Sequence, residues 1–178
     1  QGAGLVRGFL ISVTDNTGMS SGWSGAATAT VSTPLPPAIA TLGAPTFTVG
    51  GSPVTLLASV TLTDLDSETL SGATVKINTL GQPGDVLGYA APQGNPVTAS
   101  WDSWSMTITL SGTATKTQYE EALKAVTFSA SQGVALVRGL LINITDDMGV
   151  QSLLPGIATA NVIGLTPLVS TWGTPNYV

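Results

Sequence analysis

Residues 60–67 read VTLTDLDS, an alternation of apolar and threonine side chains that ends in a cluster of carboxylates. Such an alternation predicts a β-strand with one apolar face. Asp64, Asp66 and Glu68 follow closely, in a chain in which only 8% of the residues are charged. Carboxylates at this spacing on a turn can converge on a hard cation such as Ca²⁺, but Asp and Ser are also common in turns that bind nothing. The stretch predicts a strand and an acidic turn, with a metal site and a solvated turn as alternatives.

The composition of the 178 residues excludes several functions. The chain has no cysteine and no histidine, so disulfides, thiol chemistry and Ser-His-Asp catalysis are ruled out. The net charge is −5 and the five basic residues are scattered singly, so we expect no nucleic-acid partner. No apolar run is long enough to span a membrane, and we expect a protein that is not membrane-spanning. We predict that the protein is not an enzyme.

The low charge also bears on the surface. Ordinary soluble domains contain roughly 25% charged residues, and a monomer with far fewer is poorly protected against association. Two explanations stay open. Neighbouring subunits or glycans cover much of the surface, or the chain is a neutral, threonine-rich extracellular β domain.

An internal repeat organises the chain. Residues 1–31 recur as residues 132–162 without a gap and with 17 identical positions. A further pattern, T-x-G-x-P-x followed by an aromatic residue, begins at Thr41 and returns at Thr171. The period is therefore about 130 residues, and the chain holds about one and a third periods. A window cut through a tandem array or polymer would have this frame.

The repeat divides the chain into four segments. Residues 1–33 are predicted to be the last two strands of an upstream unit, 34–44 a proline-rich linker, 45–164 a complete unit, and 165–178 the linker and first strand of the next unit. One stretch, 116–124, predicts a helix, with Thr115 or Thr117 as its N-cap. The predicted strands are 4–14, 25–32, 45–49, 54–63, 72–79, 85–90, 97–102, 105–111, 125–130, 136–145 and 156–163. Many short strands separated by Gly, Pro and Asp turns predict an all-β, two-sheet antiparallel sandwich with one short helix.

The complete unit resembles the bacterial cadherin-like, immunoglobulin-fold tandem repeats of giant extracellular surface proteins of the adhesin type. The resemblance is carried by VTLTDLDS at 60–67, LSGATVKI at 70–77, LSGTAT at 110–115, YEEAL at 119–123 with VTF at 126–128, and ITD at 144–146. It implies an immunoglobulin/cadherin-like β-sandwich repeat. It also implies a cell-surface or extracellular location.

The resemblance further implies a calcium site. In such sandwiches the strands that end near residues 63 and 145 reach the same pole, where Ca²⁺ stiffens the joint with the preceding unit. Carried over to this sequence, the ligands are Asp64, Asp66 and Asp146, with Glu68 and Asp147 as lesser candidates; Asp15 serves the upstream unit. One departure is that residues 33–44 contain no acidic residue, whereas cadherin linkers contribute several carboxylates.

The tryptophans and arginines complete the candidate residues. Trp104, Trp23 and Trp172 lie near turns or linkers and are predicted assembly contacts, with sugar stacking as the alternative for exposed tryptophan. Tyr119 is expected to bond nearby backbone through its hydroxyl, like the tyrosine corner of immunoglobulin-type sandwiches. Arg7 and Arg138 occupy equivalent positions of the repeat and are expected to pair with Glu120 or Glu121, or to lie exposed on an edge.

The functional prediction is a non-catalytic structural repeat of an extracellular filament or long surface protein. Its partners would be copies of itself or neighbouring repeats in a polymer. The alternatives are an adhesin array stiffened by Ca²⁺ and a glycan-binding β-sandwich module that recognises glycan or a host cell surface.

Overall fold

A computed structural model of the protein describes residues 4–22, 25–31, 33–131 and 136–164. The predicted all-β fold with one short helix is confirmed for these residues. Their elements are β1 Leu5–Ile11, β2 Gly25–Val31, β3 Ala38–Leu42, β4 Thr46–Thr48, β5 Val54–Thr55, β6 Ser59–Thr63, β7 Thr69–Thr79, β8 Asp85–Tyr89, β9 Thr98–Asp102, β10 Thr107–Thr115, α1 Lys116–Lys124, β11 Val126–Ala130, β12 Val137–Asp146 and β13 Gly156–Ile163.

The strands form a sandwich-like arrangement of sheets. The largest sheet has the order β4-β13-β12-β7-β10-β9, and the smaller sheets are β5-β11-β8 and β3-β6. Within the described residues every strand pair is antiparallel except β4 with β13. The first hairpin, β1-β2, is a two-stranded sheet of its own.

The core lies between the sheets and follows the period of two in the sequence. Along β12, buried residues alternate with half-buried ones from Arg138 to Asp146. Phe47 and Phe128 meet edge to face in this core, with ring centroids 5.7 Å apart. Fully burying an aliphatic or aromatic side chain of this size contributes about 1.5–3 kcal/mol. Burial of these side chains therefore holds the sheets together.

The strand predicted over 54–63 is divided in two. Leu56 and Leu57 are both buried, so the alternation breaks there and the chain changes its hydrogen-bonding partner. The N–H of Leu56 donates to the carbonyl of Val126 on β11, whereas the N–H of Ala58 donates to the carbonyl of Leu42 on β3. One run of sequence thus joins two small sheets.

The predicted linker over 34–44 contains a strand that the sequence reading missed. The prolines end at Pro37, and Ala38–Leu42 pairs antiparallel with β6 over five residues. The proline-rich part is therefore shorter than predicted. In contrast, the helix was predicted with its observed ends, 116–124. Its N-cap is Thr115, which forms a capping box with Gln118.

The first hairpin reproduces the geometry of the β12-β13 hairpin. Arg7 lies opposite Ala29 in β1-β2, and Arg138 lies opposite Ala160 at the equivalent position of β12-β13. The turns also match, since Gly18 and Gly149 both adopt a positive φ, 86° and 83°. Sequence similarity and backbone geometry agree in this segment.

Candidate functional site

The predicted site centres on the acidic loop, residues 64–68, which connects β6 to β7. Asp64 shapes the loop, because its Oδ1 accepts the N–H groups of Asp66 at 3.2 Å and Ser67 at 3.3 Å. The ammonium of Lys116, at the start of α1, donates to the carbonyl oxygens of Asp64 (3.1 Å) and Ser67 (2.8 Å). The Lys116 ammonium therefore places a positive charge of the protein itself against this loop.

Asp147 ties the acidic loop to the β12-β13 turn. Its Oδ1 accepts the hydroxyl of Ser67 at 2.6 Å and its Oδ2 accepts the hydroxyl of Thr69 at 2.7 Å. These hydrogen bonds stabilise the carboxylate and lower the pKa of Asp147 below its ordinary value. The two loops do meet, as the resemblance implied, and Asp147 makes this side-chain contact.

Asp146 is buried and organises its own turn. Its Oδ1 accepts the N–H groups of Met148 at 2.9 Å and Val150 at 2.7 Å. Asp15 does the same in the first hairpin with the N–H groups of Thr17 at 2.9 Å and Met19 at 3.0 Å. An aspartate at this position therefore has a structural task in both hairpins, whether or not it also binds a metal.

Asp66 fastens the proline-rich segment to the sandwich. Its Oδ2 accepts the N–H of Leu35 at 2.8 Å, and this bond is the main reason that the pKa of Asp66 is lowered. The pKa of Asp64 is raised, mainly by burial and further by the neighbouring carboxyl group of Asp66. The two carboxyl groups thus lie close together, and one of them holds the incoming chain.

The fit to a calcium ion is partial. One buried oxygen of each of the three main candidate ligands has no hydrogen-bond partner, namely Asp64 Oδ2, Asp66 Oδ1 and Asp146 Oδ2, and a cation could satisfy such atoms. Glu68 is 97% exposed and lies 3.7 Å from the Lys116 ammonium. Among the described residues, no three acidic, His or Cys side chains are grouped closely enough to hold a metal ion. Calcium binding stays a prediction.

The predicted assembly contacts have one member in the described structure. Trp104 is 95% exposed at the β9-β10 hairpin tip, where Asp102 accepts the Trp104 N–H at 2.9 Å and the Ser105 hydroxyl at 2.7 Å. Trp101, in contrast, packs against the core. Trp23 and Trp172 lie outside the described residues.

The expected partners of Arg138 were wrong. Arg138 is fully buried, and its Nε lies 2.7 Å from Oδ2 of Asp85, which is buried as well. Glu120 instead accepts the N–H of Leu62 at 2.8 Å. The ion pair links β12 of the large sheet to β8 of a smaller one. A signal was present in the sequence, since Arg138 lies at an even-numbered position of its strand, as do Leu140, Ile142 and Ile144.

Comparisons of the chain with protein-family models, curated proteins and solved structures find no match. The similarity to cadherin-like adhesin repeats therefore rests on the sequence motifs alone. In the described part of the chain, no helix is long and apolar enough to cross a membrane.

Proposed function

We propose that this chain is a non-catalytic structural repeat of an extracellular filament or long surface protein. Its units would be chained by short proline-rich segments and packed against copies of themselves or neighbouring repeats. The observation that carries the proposal is the correspondence of the two hairpins in sequence, register and turn geometry. A chain that holds one and a third repeat units is expected for a segment of a tandem array.

The contacts around the acidic loop support a mechanical role. The Asp66–Leu35 bond fixes the entering chain, Asp147 fixes the loop to the β12-β13 turn, and Lys116 holds the loop carbonyls. These groups are engaged in hydrogen bonds that join neighbouring segments. These contacts would stiffen this end of the sandwich without an ion, which favours packing over a bound ion as the source of rigidity.

The exposed apolar side chains support assembly. Leu65, Leu153 and Leu154 lie in loops and are 75–82% exposed. Large exposed apolar groups combined with a low charge favour association. Covering them with a neighbouring unit would remove this apolar surface from water.

Two alternatives have observations of their own. The unpartnered oxygens of Asp64, Asp66 and Asp146 favour an adhesin array stiffened by Ca²⁺. The exposed indole of Trp104 favours a glycan-binding module, because sugars stack on such rings. A glycan array with the wild-type chain and the Trp104→Ala variant tests the second alternative, which requires a signal that the variant loses.

Electron microscopy of the native material, with and without EGTA, tests the main proposal. We expect uniform fibres that persist in the chelator. A string of beads that is straight with Ca²⁺ and collapses without it would favour the adhesin array. Isolated compact particles under both conditions would contradict both structural readings.

A further inference from the structure

One face of the first hairpin has the residues that are buried in the core at the equivalent positions of β12-β13. The described residues do not cover this face of the first hairpin. In the strands β12 and β13, nine positions are buried, and seven of the nine equivalent residues in the first hairpin are identical. The two differences exchange one apolar residue for another. The pairs are Arg138/Arg7, Leu140/Phe9, Ile142/Ile11, Ile144/Val13, Asp146/Asp15, Gly156/Gly25, Ala158/Ala27, Ala160/Ala29 and Val162/Val31.

These equivalent residues differ sharply in exposure. Leu140 and Ile142 are 1% and 0% exposed, whereas Phe9 and Ile11 are 52% and 50% exposed. A two-stranded hairpin alone is marginal in water. The first hairpin therefore has the residue types of a buried hairpin, but its side chains are exposed.

The complete unit shows what covers such a hairpin. On the edge that does not face β13, β12 pairs antiparallel with β7. On the edge that does not face β12, β13 pairs parallel with β4. From the opposite layer, Asp85 supplies the carboxylate that neutralises Arg138. Among the described residues Arg7 forms no ion pair, and neither edge of β1-β2 pairs with another strand.

We propose that β1-β2 docks into a sister strand set, equivalent to residues 34–131, that precedes it in the same polypeptide. The side chain of Arg7 then forms a buried ion pair with the carboxylate equivalent to Asp85. This inference rests on the proposed function, and it adds the partner and the charged pair that would recognise the hairpin.

Charge argues against the other occupants of this face. Two first hairpins packed face to face would bring two Arg7 guanidinium groups into one apolar interface, which is costly without a carboxylate. The sandwich described here already holds β12-β13 in the position that the first hairpin would need. A sister strand set offers both free edges and the missing negative charge.

An extended chain tests the proposal, made by placing a copy of residues 34–131 directly before residue 1 of the full sequence. The junction of Ser131 with Gln1 then reproduces the natural junction of Ser131 with Gln132. In the complete unit the N–H groups of Thr159 and Asn161 donate to Gly43 and Pro45. We therefore expect hydrogen exchange at the equivalent Thr28 and Thr30 amides to slow about a hundredfold or more in the extended chain.

Variants of the charged pair give the sharper result. Arg7→Ala should lower the unfolding midpoint of the added unit in the extended chain and leave the midpoint of the original 178-residue chain unchanged. Asp85→Ala in the added copy should cause a similar loss, and the double variant should lose less than the sum of the two. Val6→Ala is the matched control, because its equivalent Val137 is exposed; it should have no effect in either chain.

The proposal is overturned if the added copy stays unfolded, if Thr28 and Thr30 exchange equally fast in both chains, or if Arg7→Ala is neutral in the extended chain. These outcomes are independent of the test of the proposed function. Fibres of native material with an undocked hairpin would reject only this inference. A docked hairpin in material that forms only compact particles would reject only the proposed function.

Discussion

The buried pair of Asp85 and Arg138 makes a strong prediction about stability. Both side chains are 0% exposed and their charged atoms lie 2.7 Å apart. Asp85→Asn keeps the shape of the side chain but leaves the guanidinium of Arg138 buried without a counter-charge. Removing one partner of such a pair costs about 3–5 kcal/mol, a large part of the roughly 5–15 kcal/mol that stabilises a typical domain.

Urea unfolding followed by far-UV circular dichroism measures this cost. With a slope of about 2 kcal/mol per molar urea, we expect the midpoint to fall by roughly 1.5–2.5 M. Replacing both partners, as Asp85→Leu with Arg138→Met, should recover most of the loss because an apolar pair needs no counter-charge. Glu68→Gln, which alters the exposed pair with Lys116, should leave the midpoint unchanged. If Asp85→Asn shifts the midpoint no further than this control, the buried ion pair does not stabilise the fold.

Three further predictions concern the unit. Tyr119 donates its hydroxyl to the Gly112 carbonyl at 2.6 Å, and Tyr119→Phe should cost about 1 kcal/mol in urea unfolding. Burial raises the pKa of Tyr119 from 10.0 to about 12, so stability should fall as the pH rises between these values; an equally steep fall in Tyr119→Phe would contradict this. Because the pKa of Asp147 is lowered, its carboxylate stabilises the fold above pH 3.8, and this stabilisation is lost as the pH falls below that value. Asp147→Asn should therefore make the free energy of unfolding depend less steeply on pH in acid. An unaltered slope would count against the hydroxyl contacts. Thr115→Ala removes the N-cap and should cost about 1 kcal/mol, with Thr117→Ala as the control that should cost less.

Local patterns carried much of the fold. Period-two alternation located most of the strands, and the stretch 116–124 gave the helix with Thr115 or Thr117 as its N-cap. The structure decides for Thr115, which forms a capping box with Gln118. The hydroxyl bond of Tyr119 was predicted and is confirmed. The strand at 38–42 was missed, since the prolines before it favour a linker and its pairing with β6 is a tertiary contact.

The candidate site was harder to predict, because its contacts join distant residues. Ser67 and Asp147 are 80 positions apart, and their hydrogen bond depends on the pairing of β7 with β12. The alternation of inward and outward positions along β12 would have shown where its acidic residues lie. Counted from Leu140, Asp146 falls on the inward face of β12, whereas Asp147 lies just beyond the strand and meets Ser67.

The parallel pairing of β4 with β13 determines how the unit would respond to tension. The N–H of Val49 donates to the carbonyl of Ile163, and the N–H of Asn161 donates to the carbonyl of Pro45. Since the strands are parallel, force that pulls the chain before β4 and after β13 in opposite directions acts along both strands. The bonds between them are then sheared together rather than broken one after another. In a chain of such units, the sheared β4-β13 pairing would carry tension together with the β3-β6 pairing that precedes it in the chain.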